Sequence, residues 1–151
     1  MKKKEMAVAA LESGTVIDHI PSESLFKAVR LLGLENIDKS VTIGNNLASS
    51  SFGKKGIIKV AETIFPDDII NRIAVIAPSA VINIIEDCEV VGKHPVELPD
   101  EIVDIVKCSN PKCVSRNEPM KSRFMVAQRN PVILRCCYCD HEVNGANAEL
   151  K

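Results

Sequence analysis

The chain has 151 residues, room for one ordinary domain or two small ones. It carries 19 Lys+Arg against 20 Asp+Glu, and only five of its residues are aromatic: Phe26, Phe52, Phe65, Phe124 and Tyr138. With 46% hydrophobic residues it is too apolar for a disordered chain. It also lacks the surplus cations and stacking rings of a nucleic-acid binder and any apolar run of the roughly 18 to 20 residues a membrane span needs.

In chain order, Met1 to Glu5 is basic, but the stretch from Met6 to Ile17 is broken by Glu12, Ser13 and Gly14, so no signal peptide is expected. A cytoplasmic setting is expected, with thiols reduced and more apt to hold metal than to pair. Residues 6–12 and Thr15 to Ile20 read as extended segments. Ser22 is the expected N-cap of a helix over Glu23 to Leu32, with Gly33 just past its end. Leu25, Phe26, Val29 and Leu32 are its expected apolar face. Val41 to Leu47 reads as a strand, Ala48 to Lys55 as a loop, and Gly56 to Phe65 as the next strand. Pro66, Asp67 and Asp68 suit the start of a second helix, which Pro78 stops. Ala80 to Ile85 and Cys88 to Gly92 read as two strands around a Glu86-Asp87 turn.

The order strand, helix, strand, strand, helix, strand, plus one further strand, is the split βαβ pattern. The expected class is therefore α+β: a ferredoxin-like first domain over residues 1–99 and a small all-β zinc ribbon, of rubredoxin-like type, over residues 100–151. The stretch His94 to Asp100 holds Pro95 and Pro99 and is the expected stiff connector. Residues 144–151 are polar and expected to fray.

Five of the six cysteines follow residue 107. Cys108, Cys113, Cys136 and Cys139 form a C-x4-C-x22-C-x2-C frame. Two short turns carrying two sulfurs each can close a tetrahedral zinc site with Zn–S of about 2.3 Å. Four protein ligands leave no place for water, so the Zn2+ would be structural, one per chain. A small domain with a thin core needs such a staple. Cys137 would be a poorer choice than Cys136, His141 a surface neighbour, and Cys88 a small buried hydrophobe within a strand.

Lys54, Lys55, Lys59, Lys93, Asn83, Asp18 and His19 form the inventory a nucleotide would need, with ammonium groups for phosphates, a carboxylate for ribose hydroxyls and an amide for a base edge. A solvated lysine surface explains the same residues as well or better on composition alone. No P-loop or G-x-G-x-x-G is present.

Particular strings narrow this further: Gly14-Thr15-Val16-Ile17-Asp18-His19-Ile20-Pro21, Thr42-Ile43-Gly44, Gly53-Lys54-Lys55 with Ile58-Lys59, Ala77-Pro78, Asn83, Glu89-Val90-Val91-Gly92-Lys93 and the four-cysteine frame. In this order and spacing, over nearly the whole chain, the sequence resembles the regulatory chains of aspartate carbamoyltransferase. The resemblance implies a non-catalytic subunit that forms dimers, three of which join two catalytic trimers, in pyrimidine biosynthesis. It implies that CTP, UTP and ATP bind one site in the first domain, while the zinc domain contacts the catalytic chain. Carried over by residue, Asp18 would meet the ribose, and Lys59 and Lys93 the ribose or phosphates. His19 and Lys55 would line the phosphate path. Val8, Ala10, Leu11, Asn83, Ile85 and Val90 would surround the base. The chain departs from better-known members at Ala9, where they carry an acid, and at Cys88, where they carry an aromatic. Neither a nucleic-acid partner nor a membrane is implied.

Overall fold

The computed structural model describes residues 11–50 and 53–151. Its first sheet has five strands: β1 Gly14–Pro21, β2 Val41–Ser49, β3 Gly53–Ala61, β4 Val81–Glu86 and β5 Glu89–Pro95. Their spatial order is β2-β3-β1-β4-β5, and every neighbouring pair is antiparallel. This is the expected split βαβ sheet with β5 added outside β4. Two helical segments cross over it. The first is a 3-10 turn, Ser22–Ser24, running into α1 Leu25–Leu31. The second is α2 Asp67–Ile70 running into a 3-10 turn, Asn71–Val75.

Strand alternation separates the faces of the sheet. Ile17, Ile58 and Ile82 oppose one another on adjacent strands and are buried. Leu25, Ala28, Ile73, Ala74 and Val75 from the helical segments join them in the core.

Several sequence expectations are corrected. Ser22 makes no cap bond, and its hydroxyl is buried without a partner. Ser24 lies deeper and donates instead to the carbonyl of Ile76 at 3.0 Å, tying the two crossovers together. Phe26 is 66% exposed, since Leu25, Ala28 and Leu32 already fill the buried stripe. Gly33 does end the helix, at φ 66° in the left-handed region. The loop expected from Ala48 to Lys55 is shorter, because β2 runs to Ser49 and β3 starts at Gly53; β3 in turn ends at Ala61. The turn between β4 and β5 is Asp87-Cys88, both with positive φ, as a tight hairpin requires. Cys88 is therefore exposed in a turn and not a core residue. Residues 6–10 of the first expected extended segment lie outside the described residues.

The second sheet follows directly. Strands β6 Glu101–Val103, β7 Val106–Lys107, β8 Arg123–Arg129, β9 Val132–Cys136, β10 Glu142–Asn144 and β11 Glu149–Leu150, with the short helix α3 Val114–Asn117, complete the chain. The order β10-β9-β8-β6 makes the main sheet, and β11 pairs with β7. Phe124, fully buried, is its largest core side chain. Strands β8 and β9 form an antiparallel hairpin. The frayed tail expected over residues 144–151 is absent: Gly145 and Ala148 are buried, and β11 pairs residue for residue with β7. Apolar side chains at 148 and 150 outweigh the polar ones around them.

The connector is also more tightly held than expected. Val96 is buried and its N–H bonds the carbonyl of Ala80. The N–H of Glu97 bonds Asn71 Oδ1 at 2.9 Å. Arg129 reaches back to the carbonyl of Leu98 at 2.7 Å and to the carboxylate of Asp100. Buried residues of the two sheets form one continuous cluster, from Ile17 and Val75 to Ile102, Val106, Phe124 and Ala148.

Candidate metal centre and effector face

The Cys108 and Cys113 sulfurs come from one turn. Cys108 leaves β7, and Asn110 folds the turn by accepting the N–H of Lys112 on its side chain at 3.1 Å and that of Cys113 on its carbonyl at 3.0 Å. Cys136 ends β9. The chain then turns through Asp140, at φ 63°, so that the N–H of Asp140 bonds the carbonyl of Cys136 and Cys139 faces inward. Cys108 and Cys139 sulfurs lie 3.6 Å apart, those of Cys113 and Cys136 3.7 Å apart, and all four within 4.8 Å of one another. A regular tetrahedron with Zn–S of about 2.3 Å has sulfur edges of roughly 3.8 Å, so the cage fits the ion. Cys108, Cys113, Cys136 and Cys139 form one structural zinc site. Cys137 is exposed and outside the group of four, and the carbonyl of His141 accepts the N–H of Cys136.

The surroundings tune the thiols. Burial pushes Cys108 up to about 12, with the neighbouring thiols adding to the effect. Burial acts in the same direction on Cys113, but the hydroxyl and backbone N–H of Ser115 and the adjacent thiols overcome it and hold Cys113 down at about 6. The Ser115 hydroxyl lies 3.0 Å from the Cys113 sulfur, and Arg116 Nη1 donates to the carbonyl of Cys108 at 2.9 Å. Neither Ser115 nor Arg116 is legible in the sequence as an outer partner of the cage. The only available signal was their place two and three residues after Cys113.

The open face of the first sheet gathers the polar set. Strand register places Lys59 opposite Val16, Val16 opposite Asn83, and Asn83 opposite Lys93. Directly opposed residues share a face, so β3, β1, β4 and β5 present these side chains in one row. Thr42, opposite Lys59 on β2, extends it. Asp18 lies two residues beyond Val16, where β1 bulges between Ile17 and Ile20 with His19 at φ 61°. The bulge aims Asp18 at Lys55, and the two pair at 2.8 Å with both side chains largely covered. The N–H of His19 bonds Asp18 Oδ1 at 2.6 Å, while its carbonyl accepts the hydroxyl of Ser79 at 2.9 Å. Burial opposes ionisation of Asp18, but Lys55 and the His19 N–H prevail and hold the carboxyl below its usual range. Burial depresses Lys59, and Asp18 offsets part of that.

At the other end of the row, Ile85 opposes Val90, and the turn at Cys88 bonds the carbonyl of Glu12, next to Leu11. The structure thus brings Asp18, Lys55, Lys59, Asn83 and Lys93 to one face, with Ile85 and Val90 at its end. Val8 and Ala10 lie outside the described residues.

Comparisons with known proteins match the chain in two parts. Residues 6–97 match the family model described as aspartate carbamoyltransferase regulatory chain, allosteric domain, and residues 100–149 match that regulatory chain's metal binding domain. The aspartate carbamoyltransferase regulatory chain of Parabacteroides distasonis is 53% identical over 150 residues, covering 99% of this chain and 97% of the relative. That of Porphyromonas gingivalis is also 53% identical over 150 residues, covering 99% of each. The archaeal regulatory chain of Methanothrix thermoacetophila is 43% identical over 151 residues, covering 99% of this chain and 98% of the relative. With a zinc cage of four thiolates, a split βαβ sheet and matches along nearly its whole length, the chain belongs to the family of aspartate carbamoyltransferase regulatory chains.

Proposed function

We propose that the open face of the first sheet binds the nucleotide effectors CTP, UTP and ATP, and that the zinc domain carries their effect to a catalytic chain. The chain itself is a non-catalytic subunit of aspartate carbamoyltransferase. The row Lys59, Asn83 and Lys93, flanked by the Asp18–Lys55 pair, carries the reading. Three ammonium groups against one carboxylate give the face the excess charge a triphosphate needs. Lys59 and Lys93 hold phosphates or ribose, with Lys55 and His19 along the phosphate path. Asp18 accepts from ribose hydroxyls. Asn83 reads the base edge between Ile85, Val90 and Leu11, with Val8 and Ala10 completing the lining. Among the described residues no aromatic side chain shares that row, so the base is held by hydrogen bonds and aliphatic contact.

An effector shifts the enzyme only by binding one quaternary state better than the other. A purine and a pyrimidine sharing the same lysines act in opposite directions when they prefer different states. In this reading the effector domain spans residues 1–99 and the zinc domain residues 100–151, and the setting is the cytoplasm, where the cage thiols stay reduced. Three regulatory dimers join two catalytic trimers. The outer strand β2 supports self-association. Its nine residues, VTIGNNLAS, carry neither charge nor proline, the usual protections of a sheet edge.

Titration calorimetry on the assembled enzyme tests the site. Lys59→Ala and Lys93→Ala should each weaken CTP and ATP binding about tenfold or more, the scale of one lost charge-assisted contact. Unchanged affinity in both variants rejects the assignment.

A further inference from the structure

Lys27 stands on α1, under the first sheet, yet its ammonium group is spent on the far end of the chain. Its Nζ donates to the carbonyl of Ala146 at 3.2 Å and to that of Ala148 at 3.1 Å, across 119 and 121 residues of sequence. The strap it holds, residues 145–149, is closely fitted on that side. A Cβ on Gly145 would lie 2.4 Å from the carbonyl oxygen of Val75, and Ala148 is buried. The other end of the strap reaches the metal cage. Glu149 receives Arg116 Nη1 at 3.2 Å and lies 3.5 Å from Lys107 Nζ. The same Arg116 Nη1 donates to the carbonyl of Cys108 at 2.9 Å. The Arg116 bond first, and the charges of Arg116 and Lys107 with it, hold Glu149 below its usual carboxylate range against a desolvation that opposes them.

We propose that Lys27 is a positioning residue for the zinc site, acting from the other domain. By fixing the strap carbonyls, it keeps Glu149 on Arg116. Arg116 in turn braces the Cys108 turn, so that the sulfur of Cys108 stays on the cage. The order of contacts is Lys27, strap, Glu149, Arg116, Cys108. Each link is a hydrogen bond with an ionised partner or a covalent step, and such bonds are the stronger kind. Outer partners of metal ligands are worth about 10- to 100-fold in metal affinity. A residue acting through one of them should give a smaller effect on zinc retention. The inference stands independently of whether the open face takes nucleotides.

The test is zinc release from the purified full chain to a chromogenic chelator, followed as a rate. Lys27→Met should release zinc about three- to tenfold faster than the unmodified chain. Lys27→Arg, which keeps donors for both carbonyls, should restore most of the difference. Glu149→Gln breaks the same chain of contacts nearer the cage and should speed release at least as much. The double variant should be no faster than Glu149→Gln alone, because the two act in series. A Lys27→Met chain that releases zinc at the unmodified rate overturns the proposal. So does a faster rate that Arg does not reverse, or rate factors in the double variant that multiply as for independent sites.

Discussion

Lys55 Nζ pairs with Asp18 Oδ1 at 2.8 Å because β1 bulges where it passes β3. Without the extra residue, the alternation of β1 would continue unbroken past Asp18. The bulge instead puts carboxylate and ammonium together beside the row of Lys59, Asn83 and Lys93.

This pair sets an acid limit. The Asp18 carboxyl sits below its ordinary value of 3.8 in the folded chain. A depressed carboxyl stabilises the fold fully above the unfolded value and loses that contribution as pH falls through the folded one. Asp18→Asn should therefore cost about 1–2 kcal/mol near neutrality, where Lys55 is left without its partner. The difference from the unmodified chain should shrink as pH drops below the ordinary carboxyl value. Urea unfolding at a series of pH values measures this. A gap that stays constant into acid contradicts the pairing.

Lys59 gives an alkaline counterpart. Burial lowers its pKa from 10.5, with Asp18 opposing. A bound polyphosphate would favour the ammonium form and raise that pKa again. Triphosphate binding should then take up protons in the alkaline range, below the ordinary lysine value of 10.5, and much less at neutrality. Calorimetry in buffers of different ionisation heats reads the number directly. Lys59→Arg, which stays charged throughout, should abolish the uptake at the higher pH.

The zinc cage should depend on Ser115. Its hydroxyl lies 3.0 Å from the Cys113 sulfur inside the core, where a thiolate has few other donors. Ser115→Ala should weaken zinc binding about tenfold, in competition with a chelator of known affinity. Removing the metal altogether should unfold the second sheet while much of the first remains, since structural zinc binding is itself folding free energy. Circular dichroism before and after treatment with a mercurial would show the loss, and re-addition of zinc with excess thiol should reverse it.

Backbone demands can be separated from packing at two glycines. Gly14 opens β1 at φ 137°, and a Cβ there would sit 2.1 Å from the carbonyl oxygen of Val60. Gly33 has φ 66° but open space around it. Gly14→Ala should cost about 3 kcal/mol or more, from strain and overlap together. Gly33→Ala should cost about 1 kcal/mol, from conformation alone. Chemical denaturation of both variants compares them. Equal costs would mean that the close approach at Gly14 relaxes.

Much of the fold was legible because its signals are local. Stretches of aliphatic residues mark β1, β3 and β4, Gly33 marks the helix end, and paired cysteines at fixed spacing mark the cage. What escaped depends on distant partners. Nothing near Ser22 shows that Ser24 will bond Ile76 instead of a cap being formed. Phe26 looked buried because it neighbours Leu25, but one position along a helix is a 100° rotation. Cys88 looked like a strand residue until the hairpin needed two left-handed residues at its tip. The tail looked loose because its partners, Lys27, Arg116 and β7, lie far away in sequence. At the open face the residue types were visible, but their convergence came from strand register and a bulge, which single-residue reading does not supply.

The bare outer strand β2 also bears on how the chain behaves before it meets its mate. An edge with no repelling lysine and no proline accepts any extended segment, including one from an unfinished or misfolded copy. Chains made in excess of their partners should therefore be lost to clumping in proportion to concentration. Co-expression with partners, more than lower temperature, should rescue the yield. A single charge at Ile43, whose side chain is exposed at this outer strand although it shares a face with Ile58, would trade this adhesiveness for a solitary and better-behaved subunit.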